Sequence, residues 1–327
     1  MYYKYWGLLK NPFDIHPDPD FLYLSEQHRE ALSHLKYAVL AKKPFLLLTG
    51  DIGVGKTTLL NYFLRDLEKD KNVVVVPVFN PSLSVSEFYE LLSQTLFPRQ
   101  DVSNISKPIF LLKFREQLKK IYQQGKILVL VIDEAQSASI RFLEELRLFA
   151  NIAAEFPGMV IILVGQPDLL DKLDCPELTS LRQRFSFKYH LGPFRDIKDV
   201  SDYISTRLLR AGSPKNRVFT DDAIEALFKF SGGIPRVINI LADHALMSAF
   251  LAKAELVDAS FVEEASKEVK HLLPKLQKNQ HLEAKNSKSN FERYIPFIFL
   301  VVMSILILGY LLGLWDWERL KGLWDLG

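Results

Sequence analysis

Cysteine is nearly absent: Cys175 is the single one in 327 residues. A lone thiol closes no intramolecular disulfide, and no Cys/His cluster in the sequence offers a structural zinc site. Cys175 therefore reads as a loop thiol in a reducing compartment. An excess of one charge is also missing. Lys and Arg total 41 against 39 Asp and Glu, for a net charge of +2. That balance gives neither the basic footprint of a nucleic-acid binder nor the surface of an enzyme for acidic substrates. No internal repeat is present. The first residues, MYYKYWGLLKNPF, lack the long apolar core and small-residue cleavage site of a signal peptide. What is abundant is apolar: 48% of the chain is hydrophobic and 24% charged, so most of it folds around a core. The length admits two small domains with appendages.

Strand-like and helix-like segments alternate over the first part. Residues 44–49, 72–79, 126–132 and 159–164 are apolar runs of strand length, and 186–191 is a fifth candidate. Helical spacing marks 58–67, 84–96, 109–124 and 140–154. Strands apolar on both faces, separated by helices, imply an α/β fold with a parallel sheet covered on both sides. From about residue 193 the pattern becomes helical only, over 196–211, 220–230, 234–253 and 259–271. Thr220 and Ser260 are expected to be N-caps of the second and fourth of these.

The chemistry begins between the first strand and its helix. Gly50, Asp51, Ile52, Gly53, Val54, Gly55, Lys56 and Thr57, followed by Thr58, match G-x-x-x-x-G-K-[ST]. In that motif the backbone N–H groups cradle phosphates, Lys56 reaches the β/γ-phosphates and Thr57 holds Mg²⁺. A dinucleotide reading would need glycine at position 58, where Thr58 stands. Residues 126–134 (KILVLVIDE) form an apolar strand that delivers Asp133 and Glu134. Asp133 would bind Mg²⁺, directly or through water, and Glu134 would polarise the attacking water as general base. Gln166 follows the fourth strand as a polar sensor. Arg182 and Arg184 precede the fifth, and Arg236 opens a helix in the helical part.

These motifs, in this order, resemble the AAA+ ATPase family. Tyr5-Trp6-Gly7-Leu8, Asn11-Pro12-Phe13, Pro17-Asp18-Pro19, Phe21-Leu22-Tyr23 and His28-Arg29-Glu30-Ala31-Leu32 narrow the resemblance to its ExeA/GspA type. Asp133-Glu134-Ala135-Gln136, Gly165-Gln166-Pro167-Asp168-Leu169 and Leu181-Arg182-Gln183-Arg184 agree with it. The resemblance covers about residues 1–272. It implies a five-stranded AAA+ P-loop NTPase core, a helical lid, ATP with Mg²⁺, and a homo-oligomer, often a hexamer in this family. It also implies Gln166 as sensor 1 and Arg236 as sensor 2. Arg184 would be the finger reaching a neighbour's nucleotide, with Arg182 the alternative. Asn11, Pro12 and Phe13, with His28, match the adenine side.

Residues 295–314 are 20 residues without a charge, flanked by Tyr294, Trp315 and Trp317. At about 1.5 Å per residue they cross a ~30 Å hydrocarbon layer. Lys275, Lys278, Lys285, Lys288 and Arg293 outnumber Glu283 and Glu292 upstream, which places the large part in the cytoplasm. The expected organisation is a nucleotide-binding α/β domain over 1–195, a lid over 196–272 and a charged linker over 273–293. A transmembrane helix over 294–315 and a periplasmic or interfacial tail over 316–327 follow. The expected function is a bacterial inner-membrane ATPase that drives or regulates assembly of an envelope machine for type II secretion, pili or polysaccharide export. Its partners would be membrane lipid and an envelope protein, not nucleic acid. The alternatives are an ATP-dependent DNA-linked switch and a nucleotide-gated scaffold.

Overall fold

Five short runs of Val, Ile, Leu and Phe pair side by side, and the rest of the molecule is arranged around them. The computed structural model describes residues 2–16, 18–97, 106–213 and 217–269. The strands are β1 (Phe45–Gly50), β2 (Val73–Val78), β3 (Ile127–Ile132), β4 (Met159–Gly165) and β5 (Phe187–Leu191). All pairings are parallel, in the order β2-β3-β4-β1-β5. The three inner strands are buried along their whole length, and the edge strands only in part. Pro77 is tolerated in β2 because that strand pairs on one side only, so its missing N–H costs no ladder bond.

Alternation of side chains divides the core in two. Phe45, Leu47, Leu128, Leu130, Ile132, Ile161 and Leu163 face one layer. Leu46, Leu48, Ile127, Val129, Val131, Val160, Ile162 and Val164 face the other. The second face is covered by α1 (Glu26–Leu40) and α2 (Lys56–Leu67). The first is covered by α3 (Val85–Leu96), α4 (Lys107–Gln123), α5 (Ile140–Glu155) and α6 (Asp168–Leu173), before the short α7 (Thr179–Arg182). Aromatic rings fill the space among α3, α4 and α5. Phe149 lies 4.9 Å from Phe114 and 5.7 Å from Phe88, centroid to centroid. Ser84 and Glu87 form a reciprocal capping box at the start of α3.

The lid consists of α8 (Ile197–Arg210), α9 (Asp221–Ser231), α10 (Pro235–Leu251) and α11 (Ala259–Glu268). The N-terminal residues pack on this lid before the chain enters the sheet layer. The Trp6 indole N–H donates to the Leu246 carbonyl at 3.3 Å, the Tyr5 hydroxyl to Ala254 O at 3.0 Å, and Leu9 N to Ala211 O at 2.8 Å. Lid and sheet layer are thus joined by two crossings of the chain, one before α1 and one after β5. Gln27 clasps them: its amide donates to Pro193 O at 3.2 Å and accepts from Gly192 N at 3.1 Å.

Three local expectations are corrected. α11 is capped by Asp258, whose carboxylate accepts from Ser260 N at 2.9 Å, so Ser260 lies inside the first turn. Thr220 occupies the cap position of α9, but its hydroxyl donates to Val257 O at 3.1 Å and caps nothing. α1 was not expected, although Ala31, Leu35, Ala38 and Val39 give it an apolar stripe. The P-loop helix begins at Lys56. The linker, transmembrane and tail assignments lie outside the described residues. Among the described residues no helix is long and apolar enough to cross a membrane.

Replacing Phe149 by Ala is expected to lower unfolding free energy by about 3–5 kcal/mol, the usual cost of an aromatic-sized core cavity. Equilibrium denaturation of the full chain measures it, and a change below about 1 kcal/mol would show that the aromatic layer closes over the gap.

Candidate active site

The sheet order places the loops after β1, β3 and β4 at one edge, the carboxyl end where open parallel sheets bind ligands. A cavity of about 470 Å³ lies there. Ile52 through Thr58 form one wall. Glu134 and Gln166 stand at the strand ends. Pro235, Arg236, Asn239, Tyr203 and Arg207 come from the lid, and Asp14 to His16 and Phe21 to Tyr23 from the N-terminal segment.

Gly53 has φ +84°, a left-handed conformation that costs glycine little. A Cβ there would lie 2.7 Å from the Arg236 Cβ. The close approach lets Arg236 N donate to Gly53 O at 3.1 Å, so the first turn of α10 rests on the loop. Lys56 is buried, and its ammonium donates to Gly50 O at 2.7 Å and Asp51 O at 2.8 Å. Burial pushes its pKa down, against the opposing pull of Glu134 and Asp133. The Thr57 hydroxyl donates to Asp133 Oδ2 at 3.1 Å, and Glu134 N donates to the other oxygen at 2.9 Å. Burial pushes the Asp133 carboxyl up despite these bonds. Glu134 sits at φ +52°, unusual for a residue with a side chain, at the point where β3 ends.

His28, from α1, braces the loop from behind. Its Nε2 lies 3.3 Å from Val54 O and its Nδ1 2.7 Å from Ser25 Oγ. The Val54 carbonyl only accepts, so Nε2 carries the proton and Nδ1 accepts from the serine hydroxyl. Burial lowers the His28 pKa to about 4, which keeps the ring neutral.

Of the expected site residues, the cavity wall contains Ile52, Gly53, Val54, Gly55, Lys56, Thr57, Thr58, Glu134, Gln166, Arg236 and His28. Gly50, Asp51 and Asp133 stand just behind it, within the hydrogen bonds given above. Asn11, Pro12 and Phe13 are not in the wall. Phe13 is buried against Phe219, with ring centroids 5.9 Å apart, and Pro12 O accepts from Arg207. The neighbouring Asp14, Ile15 and His16 face the cavity in their place. Arg184 is bonded to Asn151 Oδ1 at 2.6 Å and Arg182 is paired with Asp174; neither lines this cavity.

Tyr203, Arg207 and Asn239 were not anticipated. Arg207 is buried, and among the described residues no carboxylate lies in hydrogen-bond range of it. It donates to the Tyr203 hydroxyl at 2.8 Å and to Asp14 O at 3.2 Å, and its guanidinium lies over the Phe21 ring at 4.9 Å. Tyr203 in turn donates to Asn239 Oδ1 at 2.6 Å. This polar relay ties the N-terminal segment to α8 and α10 along one side of the cavity.

The oxygen donors suit a hard divalent cation: the Thr57 hydroxyl and the Asp133 carboxylate adjoin, and a cation would offset the burial that disfavours ionised Asp133. The arrangement as a whole offers a phosphate cradle, a buried ammonium, a cation site and a carboxylate base around one cleft.

Residues 40–173 match the AAA domain family. General secretion pathway protein A of Aeromonas hydrophila is 38% identical over 251 residues, which span 76% of this chain and 45% of that protein. The chain thus spans less than half the length of that relative. Among solved structures, CDC6P from Pyrobaculum aerophilum superposes with a TM-score of 0.59 at 16% identity, over 80% of this chain and 72% of the other. The ORC2 protein of Aeropyrum pernix gives 0.57 at 18%, over 80% and 72%. A Walker-type ATPase of Pyrococcus abyssi gives 0.56 at 20%, over 85% and 81%. At these identities the superpositions show the fold alone.

The neutral His28 sets a pH dependence. With a folded pKa of about 4 against 6.5 in the unfolded chain, the unfolded state binds the extra proton between those values. Stability is therefore full above pH 6.5 and falls as pH drops toward 4, by about 3 kcal/mol in all. Denaturation of the wild type and of His28→Gln across pH 4–7 is expected to give a shallower slope in the variant; parallel slopes would mean His28 is not the group.

Proposed function

Since the chain belongs to the AAA+ ATPases of the general secretion pathway protein A type, we propose that it hydrolyses ATP in this cavity to drive or regulate assembly of a bacterial secretion machine in the envelope. The observation that carries the reading is the convergence of Lys56, Glu134, Gln166 and Arg236, from four separate elements, on one cleft. Type II secretion is the machine that the relative's kinship favours.

In the proposed reaction the backbone N–H groups of residues 52–58 and the Lys56 ammonium hold the phosphate chain. Lys56 exchanges its bonds to the Gly50 and Asp51 carbonyls for phosphate oxygens. Thr57 and Asp133 would hold Mg²⁺, which when bound supplies charge neutralisation on the phosphoryl oxygens. Glu134 accepts a proton from the attacking water. Gln166 and Arg236 approach the terminal phosphate from the sheet and from the lid. Arg184 lies outside its own chain's cavity and is only half-buried, which leaves it free to complete a neighbouring subunit's site. Hydrolysis is therefore proposed to need a homo-oligomer.

Full-length protein in detergent is expected to show specific ATP turnover that rises with protein concentration. Lys56→Ala and Glu134→Gln should each lose turnover by ~10²-fold or more, with Glu134→Gln still binding ATP. Arg184→Ala should bind ATP and not turn it over. Full activity of either Lys56→Ala or Glu134→Gln would remove the hydrolytic mechanism. Turnover flat with concentration and indifferent to Arg184 would remove the shared site.

The membrane assignment is part of the same proposal. Residues 294–315 anchor the ATPase to the inner membrane, with the nucleotide domain cytoplasmic and the C-terminus periplasmic. The 20 uncharged residues, their aromatic flanks and the upstream Lys/Arg excess support it. The expressed chain is expected to stay with membranes through an alkaline wash, and release into the supernatant would count against the span.

A further inference from the structure

We propose that Gln136 is a positioning residue that fixes the Glu134 carboxylate against the end of β4. The inference rests on the reading of Glu134 as the base for water. Gln136 lies in the 3₁₀ turn Ala135–Ser137 that follows β3. Both ends of its amide are used. Oε1 accepts from Gln166 N at 3.0 Å, and Nε2 donates to Glu134 Oε2.

The chemistry of the partners fixes which way the amide points. A backbone N–H only donates and an ionised carboxylate only accepts, so the oxygen must face Gln166 and the nitrogen Glu134. Flipping the amide would break both bonds. Among the described residues this is the only hydrogen bond made by the Glu134 carboxylate. Coulombic attraction between Glu134 and Lys56 adds a pull without a direction.

The surroundings hold Gln136 in place. The backbone carbonyl of Gln136 accepts from the Lys172 ammonium on α6, which also donates to Ala138 O at 2.7 Å. A Cβ on Gly165 would come within 2.8 Å of Gln136 Oε1, so the absence of a side chain at the last residue of β4 is what lets the amide reach the next N–H. Glu134, at φ +52°, has a backbone that does not by itself choose this geometry. The carboxylate is thus aimed by a neighbour two residues away that is bonded to the strand carrying the sensor. A shift of the Gln166 peptide is passed to Glu134 through one planar group.

A misaimed base costs rate more than binding, because a displacement of about 1 Å can cost ~10²-fold. The test is steady-state kinetics and equilibrium ATP-analogue binding on the full-length protein, with Gln136→Met, Gln136→Glu and Glu134→Gln. Methionine keeps the length and loses both bonds. Glutamate keeps an acceptor for Gln166 N but turns the donor into an oxygen that repels Glu134. The expected result is a ~10–100-fold fall in kcat for both Gln136 variants. Nucleotide affinity and KM should stay within about threefold and the melting temperature near wild type. Glu134→Gln that still turns over ATP would sink the base reading and this inference with it. Glu134→Gln inactive beside Gln136 variants of wild-type kcat would overturn this inference alone. So would wild-type kcat in Gln136→Glu with loss only in Gln136→Met, since only the tether to β4 would then matter. A matched loss of affinity and melting temperature in both variants would show a structural role and overturn it as well.

Discussion

The loop after β1 must keep its shape around the cavity it walls, and loops have little of their own to hold them so. Here the bracing comes from three directions. His28 takes the Val54 carbonyl from α1, Lys56 ties the Gly50 and Asp51 carbonyls from α2, and Arg236 N takes the Gly53 carbonyl from α10. Each brace uses a carbonyl and occupies none of the loop's N–H groups. Two of the three elements belong to the sheet layer and one to the lid. The loop is therefore also the place where the two layers meet through the backbone.

Electrostatics at the site follow from how little water reaches it. Burial acts on Lys56, Asp133 and His28 in the same sense, disfavouring charge in each. The consequences differ because the partners differ. Lys56 and Asp133 keep opposite charges nearby that favour ionisation, whereas the charge near His28 is the like charge of Arg29, and its bond to the Val54 carbonyl does not outweigh burial. A neutral ring is suited to a brace, since a charged one would add a second buried cation close to Lys56.

What the sequence made legible was what is local. The glycines and Lys56-Thr57 fix the loop, and an apolar run ending in Asp133-Glu134 fixes the strand that faces it, because each motif needs only its own dozen residues. Apolar runs located the inner strands for the same reason. β5 was harder: only Leu191 in it is buried, so the apolar signal is weak. α1 escaped because its buried side includes Gln27 and His28, which read as surface residues until Gly192, Pro193 and Val54 are placed against them. The side of the cavity formed by Tyr203, Arg207 and Asn239 had no pattern to find. Arg207 meets Asp14 across 193 positions of chain, and only the fold brings them together. Asn11 to Phe13, expected on the adenine side, stand outside the cavity wall; Phe13 turns to the core because an aromatic ring gains more from burial against Phe219 than from solvent.

The clasp made by Gln27 has a mechanical meaning. The chain passes between the two layers twice, and one amide holds both passages together. A body pinned at two adjacent points moves least near the line through them. Atoms near that line travel little and atoms far from it travel most. Gln27 precedes His28 directly, and Phe194 N, one residue past Pro193, donates to Gly233 O at 2.8 Å just before α10, so the braces from α1 and α10 both lie beside the clasp. The loop is thus held from α1 and from α10 where lid and sheet layer are fastened to each other, close to the passages themselves.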